Sequence, residues 1–278
     1  MDEQVSETRA ARRARRDAML RQAPRLPEMA TVPRPVVVVA TLVWCALLVV
    51  AVRIDPVVVA AVLAWAGLVL AWGWPRLLGS SSRFGSSLAI GVAGVLAPVA
   101  SVLPDGEPDL ALVPAALAIG LGLMFGHQIV RRDGRPRLTE SIGVTSFGLA
   151  LAALGATWLP VTLGTRPAAL AVAAFVGLGV SALADLAVGI QRLRAWLLPL
   201  AMVLGASGAL VAAAVVGEPG PAAAALTGLL VAAVSHALRR MLSVLPPVTA
   251  VRGQLASAAA GILVPGVVAY GVALALVG

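Results

Sequence analysis

Lysine is absent from this chain; all 21 basic residues are arginine. Alanine, valine, leucine and glycine dominate the remainder, so the bias reads as a GC-rich coding preference. Arginine richness therefore carries little weight as a nucleic-acid signal, and nucleic acid is not an expected partner. Cysteine occurs once, at Cys45, which excludes an intrachain disulfide and any paired-cysteine metal motif. Charge is scarce at 12% of residues, against roughly 25% in a soluble domain. No GxxxxGK(S/T) phosphate loop and no HExxH metal motif occurs. The acid in ADLAVG, Asp185, stands alone, so an aspartate-rich site for a magnesium diphosphate is excluded. Neither a cofactor nor a bound metal is expected. No short apolar segment with a small-residue cleavage site opens the chain, so no removable signal peptide is expected.

What the chain does have is long apolar runs. Roughly 18 to 24 residues each, they can cross a bilayer core of about 30 Å as helices. Backbone polar groups find no water in lipid, so such runs satisfy themselves as α-helices. Nine spans are predicted, at approximately 36–53, 57–73, 87–103, 110–130, 141–163, 168–190, 195–216, 221–238 and 254–277. The fold class is an all-α polytopic membrane helix bundle, residues 35–278, preceded by a polar tail, residues 1–34.

The tail holds eight arginines against five acids. Its stretch SETRAARRARRDAMLRQ suits a helix capped by Ser6, with acids early and arginines late. Pro24, Pro27, Pro33 and Pro35 then read as a spacer. Two roles fit: a solvated or disordered extension, or a basic segment lying on anionic lipid or an acidic protein partner.

The links between spans alternate in character. RIDP, PDGEPD, GTRP and GEPG follow odd spans, while PRLLGSSSRFGSS, RRDGRPRLTE, QRLR and RRMLSVLPPVTAVRG follow even ones. The tail and the even links carry nineteen arginines; the odd links carry two, Arg53 and Arg166, with five acids. This split predicts a cytoplasmic N-terminus, an external C-terminus and a place in the plasma membrane. Trp72, Trp74, Trp158 and Trp196 fall near predicted interfaces and are expected in the aromatic belts. The acids of PDGEPD read as a solvated external turn.

The segment GHQIVRRDGRPRLTES, residues 126–141, is then a cytoplasmic turn made by Gly134 and Pro136. Arg131 and Arg132 suit the C-terminal dipole of span 4, and Thr139 or Ser141 can cap span 5. Arg131, Arg132, Arg135 and Arg137, with Arg239 and Arg240, are candidate contacts for an anion or a lipid headgroup.

Three ionisable groups lie within the apolar runs: His127, Asp185 and His236. An intramembrane ionisable residue is a functional-site hypothesis by default. Their contexts, LMFGHQIVRR, ALADLAVGIQR and VAAVSHALRR, run parallel, which suggests a degenerate two-helix repeat or simply the common ending of hairpins under the charge rule. Ala173, Gly177, Ser181, Asp185 and Gly189 recur every four residues, as do Ala224, Gly228, Ala232 and His236. Such small-residue stripes bring helices close, so Asp185 and His236 are expected on packing faces. His127 sits beside such a stripe rather than on it. Pro98, Pro199 and Pro265 interrupt odd spans, as in cavity-lining transporter helices or as plain kinks.

The expectation is that Asp185, His236 and the 131–137 arginines face one vestibule, with Asp185 deepest. Nine spans with an internal N-terminus resemble phosphatidate cytidylyltransferases, but span 9, ASAAAGILVPGVVAYG, lacks their His-Gly-Gly and Asp-Arg signature, so no membership is drawn. Three functional classes remain. These are a permease-like protein for a small solute or ion, a non-enzymatic membrane scaffold or assembly protein, and a lipid-modifying membrane enzyme. The spans carry too few hydrogen-bonding side chains for a sugar or peptide path.

Overall fold

A computed structural model describes residues 28–103, 109–132, 134, 136–163 and 165–276. Among these residues the chain is a multi-pass bundle of nine helical spans. The helices are α1 (Pro35–Val52), α2 (Pro56–Leu77), α3 (Arg83–Val102), α4 (Val113–Val130), α5 (Leu138–Ala156), α6 (Thr165–Ala182), α7 (Leu197–Val216), α8 (Pro221–Leu242), α9 (Val251–Leu263) and α10 (Gly266–Leu276). The ninth span is the pair α9 and α10, divided at Pro265. The expected spans are thus found, with ends that shift by a few residues. Residues 1–27, and with them the Ser6 cap and most of the tail, lie outside the described residues, as does Arg135.

Local chemistry sets the boundaries. Pro35, Pro56 and Pro221 open their helices, where a missing N–H removes nothing. Asp55 caps α2 by accepting from the Val57 amide at 2.7 Å. Gly217, at φ +86°, closes α7 in the left-handed conformation that glycine adopts at no steric cost. Gly134 turns the 131–137 link with φ +76°. The expected caps of span 5 are a correction: α5 starts after Arg137, with no side-chain cap there, and Ser141 is buried inside the bundle.

Two groups of helices form the body. In one, α2 packs on α3 and α5, and α3 on α4 and α5; in the other, α6, α7 and α8 pack mutually. Helix α1 joins them by touching α2 and α6. The ninth span is central: α9 meets α1, α2, α5 and α8, and α10 meets α5, α6 and α8. That position explains its composition. Residues Ala256 through Leu263 are all buried, and only small side chains let so many helices meet at one axis. The outward faces are apolar, as lipid requires: Val39, Val43, Leu47 and Val50 line the exposed side of α1.

The small-residue stripes are where helices meet most closely. A Cβ on Gly228 would stand 2.3 Å from the Gly205 carbonyl oxygen, and one on Gly177 would stand 2.5 Å from the same atom. So α6, α7 and α8 converge on three glycines, with Ala173, Ala209, Ala224 and Ala232 buried around them. A second contact of this kind joins Gly67 of α2 to Gly94 of α3.

Two tryptophans expected in the aromatic belts are instead core residues. Trp74 and Trp158 are wholly buried, and their indole N–H groups donate to the carbonyls of Val144 at 3.0 Å and Ile262 at 2.9 Å. Both rings are large and apolar, and a backbone acceptor for each N–H makes burial affordable. Trp72 and Trp196 remain exposed at 48% and 65%.

Candidate functional site

Span 6 does not stay α-helical to its end. After Ala182 the backbone winds into a 3-10 helix, Leu183–Gly189, and a second one, Gln191–Trp196, leads into α7. A 3-10 helix has about three residues per turn rather than 3.6. The four-residue stripe therefore holds through Ser181, which is fully buried, and is broken at Asp185, whose side chain remains 20% exposed. The carboxylate stands at the edge of a cavity instead of inside a helix contact.

Helix α8 supplies the partners. His236 Nδ1 lies 2.8 Å from Asp185 Oδ1, and Arg239 Nε donates to Oδ2 at 2.7 Å. An ionised carboxylate only accepts, so Nδ1 carries the hydrogen of this contact. Both donors are almost completely enclosed: His236 and Arg239 are each 4% exposed. Lone charges at this depth would be costly; each here meets an opposite or polar partner.

The network continues into the broken ninth span. Pro265 lacks an N–H, so the carbonyl of Gly261 four residues earlier loses its helical donor. Ser235 Oγ donates to that carbonyl at 2.7 Å, and Arg239 Nη1 in turn donates to Ser235 Oγ. Trp158 donates to the next carbonyl, that of Ile262. Gly261 also leaves the space in which the Arg239 side chain lies, since a Cβ there would come 3.2 Å from Arg239 Cγ. The Pro265 break and the Asp185 ion pair are thus linked through two side chains. Pro98 lies inside α3, and Pro199 falls in the first turn of α7, where it interrupts nothing.

The end of the tail closes one side of the cavity. Glu28–Thr31 form a short 3-10 turn, Ala30 is buried, and its carbonyl accepts from Arg240 Nη1. Arg34 Nη2 donates to the Ser243 carbonyl at 3.2 Å. Partial burial lowers the Arg34 pKa, yet a guanidinium remains protonated. Pro33 lies against Gly189 of the 3-10 stretch. Residues 28–34 are therefore packed on the bundle rather than acting as a free spacer.

The resulting cavity is about 40 Å³, enough for about three waters at roughly 10–15 Å³ each. Arg34, Asp185, His236, Arg239, Arg240 and Ser257 contribute to its wall. Arg239 Nη2 and Arg240 Nη2 are buried and have no hydrogen-bond partner among the described residues.

The other candidates fall elsewhere. His127 of α4 packs against Phe84 of α3, ring centroids 6.1 Å apart, and over Gly85. Arg137 pairs with Glu140 at 3.1 Å and reaches the Gly79 carbonyl at 3.3 Å, while Arg132 is exposed. Arg131 Nη1 donates to Gln128 Oε1 at 3.2 Å. None of these lines the Asp185 cavity, so the expected single vestibule is corrected: Asp185 and His236 are brought together with Arg239 and Arg240, and the described arginines of the turn, Arg131, Arg132 and Arg137, lie with the other helix group. His127 thus lies apart from Asp185 and His236, which meet each other.

Beneath the 131–137 turn lies a buried polar network that the sequence reading missed. Ser141 Oγ meets Ser80 Oγ at 3.3 Å and Gln128 Nε2 at 3.1 Å. Thr145 Oγ1 lies 2.7 Å from both Ser86 Oγ and the Ser141 carbonyl, and can donate to only one of them. These hydroxyls fall at span ends, where serine and threonine read equally as caps and loop residues. Among the described residues no three His, Cys, Asp or Glu side chains come close enough to hold a metal ion. No protein family, characterised protein or solved structure matches the chain.

Proposed function

We propose that the chain is a permease-like membrane protein for a small solute or ion, with the Asp185–His236–Arg239 cluster as its binding site. The carrying observation is the position of that cluster. An ion network sits beside a cavity where one span leaves the α-helical form and another is divided by proline. Discontinuous helices such as the divided ninth span form substrate and ion sites in transporters. His236 Nδ1 and Arg239 Nε hold the Asp185 carboxylate at the cavity wall. The small cavity supports a substrate of few atoms. The arginine distribution supports opening of this site toward the cytoplasm, with the N-terminus on that side of the cell membrane and the C-terminus outside.

The test pairs Asp185→Asn with Asp185→Leu in proteoliposomes, assayed for flux of a panel of small inorganic ions and for coupled proton movement. Asn keeps the shape and one acceptor, so the protein should fold to normal yield and lose flux. A helix tie would behave differently: Asn would be nearly silent in any assay of the wild-type activity. Wild-type protein that moves no ion of the panel would refute the permease reading.

A further inference from the structure

The cavity wall is not electrically balanced. Arg239 and Arg240 face it with one carboxylate, Asp185, so guanidinium groups outnumber carboxylates along its wall. Arg239, at 4% exposure, is the one arginine among the buried polar side chains of the described residues. Its Nε and Nη1 are used by Asp185 and Ser235. Its Nη2 is buried without a partner, and so is Nη2 of Arg240, whose Nη1 holds the Ala30 carbonyl. A buried guanidinium N–H left without an acceptor is costly, and an uncompensated buried charge more so. Both deficits have the same remedy, an anion with several acceptor oxygens.

We infer that this cavity binds a phosphate-type oxyanion, held by the free Nη2 groups of Arg239 and Arg240 with Arg34 at the mouth. Guanidinium groups present donors in a fork that matches two oxygens of such an anion, and Arg surpasses Lys wherever that geometry matters. The volume of about 40 Å³ suits one compact anion in place of about three waters. Asp185 has a definite part. By accepting from Arg239 Nε, with Ser235 accepting from Nη1, it helps to orient Nη2, and by subtracting one charge it keeps the anion releasable. The oxyanion is free inorganic phosphate or the phosphate of a membrane lipid entering beside residues 30–34. This inference deepens the permease reading by naming its substrate class, yet binding is measurable without transport.

The experiment uses the full chain purified in mild detergent. Thermal unfolding is followed against potassium phosphate and against potassium chloride at equal ionic strength, and native mass spectrometry records phospholipid retained through purification. The expected result is a saturable rise in Tm with phosphate and not with chloride, or retained phospholipid in about one-to-one ratio. The first outcome identifies the free anion and the second the lipid headgroup. Arg240→Gln should weaken either by about tenfold or more, as loss of a charge-assisted contact requires, while Arg240→Lys should recover only part. Arg34→Gln, outside the spans, is the second variant in case Arg240→Gln does not fold. The inference is overturned if wild-type protein shows neither effect, if chloride matches phosphate, or if the arginine variants bind as wild type does. Phosphate binding without flux would remove the permease reading and leave this site. Flux of a cation without phosphate binding would do the reverse.

Discussion

Removing Arg239 and Asp185 singly and together measures whether they act as one unit. Asp185→Leu leaves Arg239, whose side chain is 3% exposed, with Ser235 as its remaining partner, and strips His236 of its acceptor. Breaking a buried pair from one side costs about 3–5 kcal/mol, and the full range applies here because the orphaned cation is enclosed. Arg239→Leu leaves Asp185 bonded to His236 and 20% exposed, so the expected cost is the smaller value for a lost charged hydrogen bond, about 1.5–3 kcal/mol. Replacing both removes two charges that lipid-embedded protein must otherwise accommodate; such double replacements are often near neutral, within about 1–2 kcal/mol of the parent. Additivity would predict about 4.5–8 kcal/mol, so the coupling should exceed about 2 kcal/mol, in the upper part of the usual range for residues in contact or beyond it. The assay is unfolding from mixed micelles by added denaturing detergent, read through the buried Trp74 and Trp158. Additive single losses, or Arg239→Leu costing more than Asp185→Leu, would refute the pairing described here.

Two further predictions concern the frame that holds the site. Gly228→Ala drives a Cβ to 2.3 Å from the Gly205 carbonyl and should cost about 1–3 kcal/mol by overpacking, whereas Gly122→Ala, which meets nothing within 4 Å, should be neutral or slightly stabilising in the same unfolding assay. Trp158→Phe keeps an aromatic ring but leaves the Ile262 carbonyl beside the Pro265 break without its donor, and should cost about 1–3 kcal/mol while leaving Trp74 fluorescence unchanged.

The spans were legible because the bilayer imposes one rule: an apolar run of sufficient length must be helical. The pairing of Asp185 with His236 was legible for a related reason. Stripes at Ala173, Gly177 and Ser181, and at Ala224, Gly228 and Ala232, named the faces that close packing would join. Arg239 was read as a cytoplasmic headgroup contact because the predicted span ended at residue 238; α8 runs to Leu242, which carries Arg239 into the bundle. The 3-10 winding at Leu183–Gly189 left no mark, since no proline or paired glycine announces it. The separation of the 131–137 turn from Asp185 was likewise unreadable. Asp185 lies near the end of one even span and the turn just after another, but sequence does not say that α4 packs at the rim with α3 and α5 while α8 packs beside the central ninth span. Trp74 and Trp158 misled because a tryptophan near a span end suits an interface and a core equally until its N–H partner is known.

The central claim is that Asp185, His236 and Arg239 border a space that water and solute reach from the cytoplasm, rather than a dry tie between helices. Cys45 is buried and is the only native thiol, so a Cys45→Ala background allows one reporter at a time. Val188→Cys places that reporter in the cavity wall, with Thr249→Cys and Gly220→Cys as exposed controls on the arginine-rich and arginine-poor ends. A small membrane-impermeant thiol reagent applied to sealed vesicles of each orientation reads the outcome. The account predicts that Val188→Cys is labelled from the same side as Thr249→Cys, and that this side is the cytoplasmic one. Labelling from the side of Gly220→Cys, or none from either side in folded protein, would contradict it.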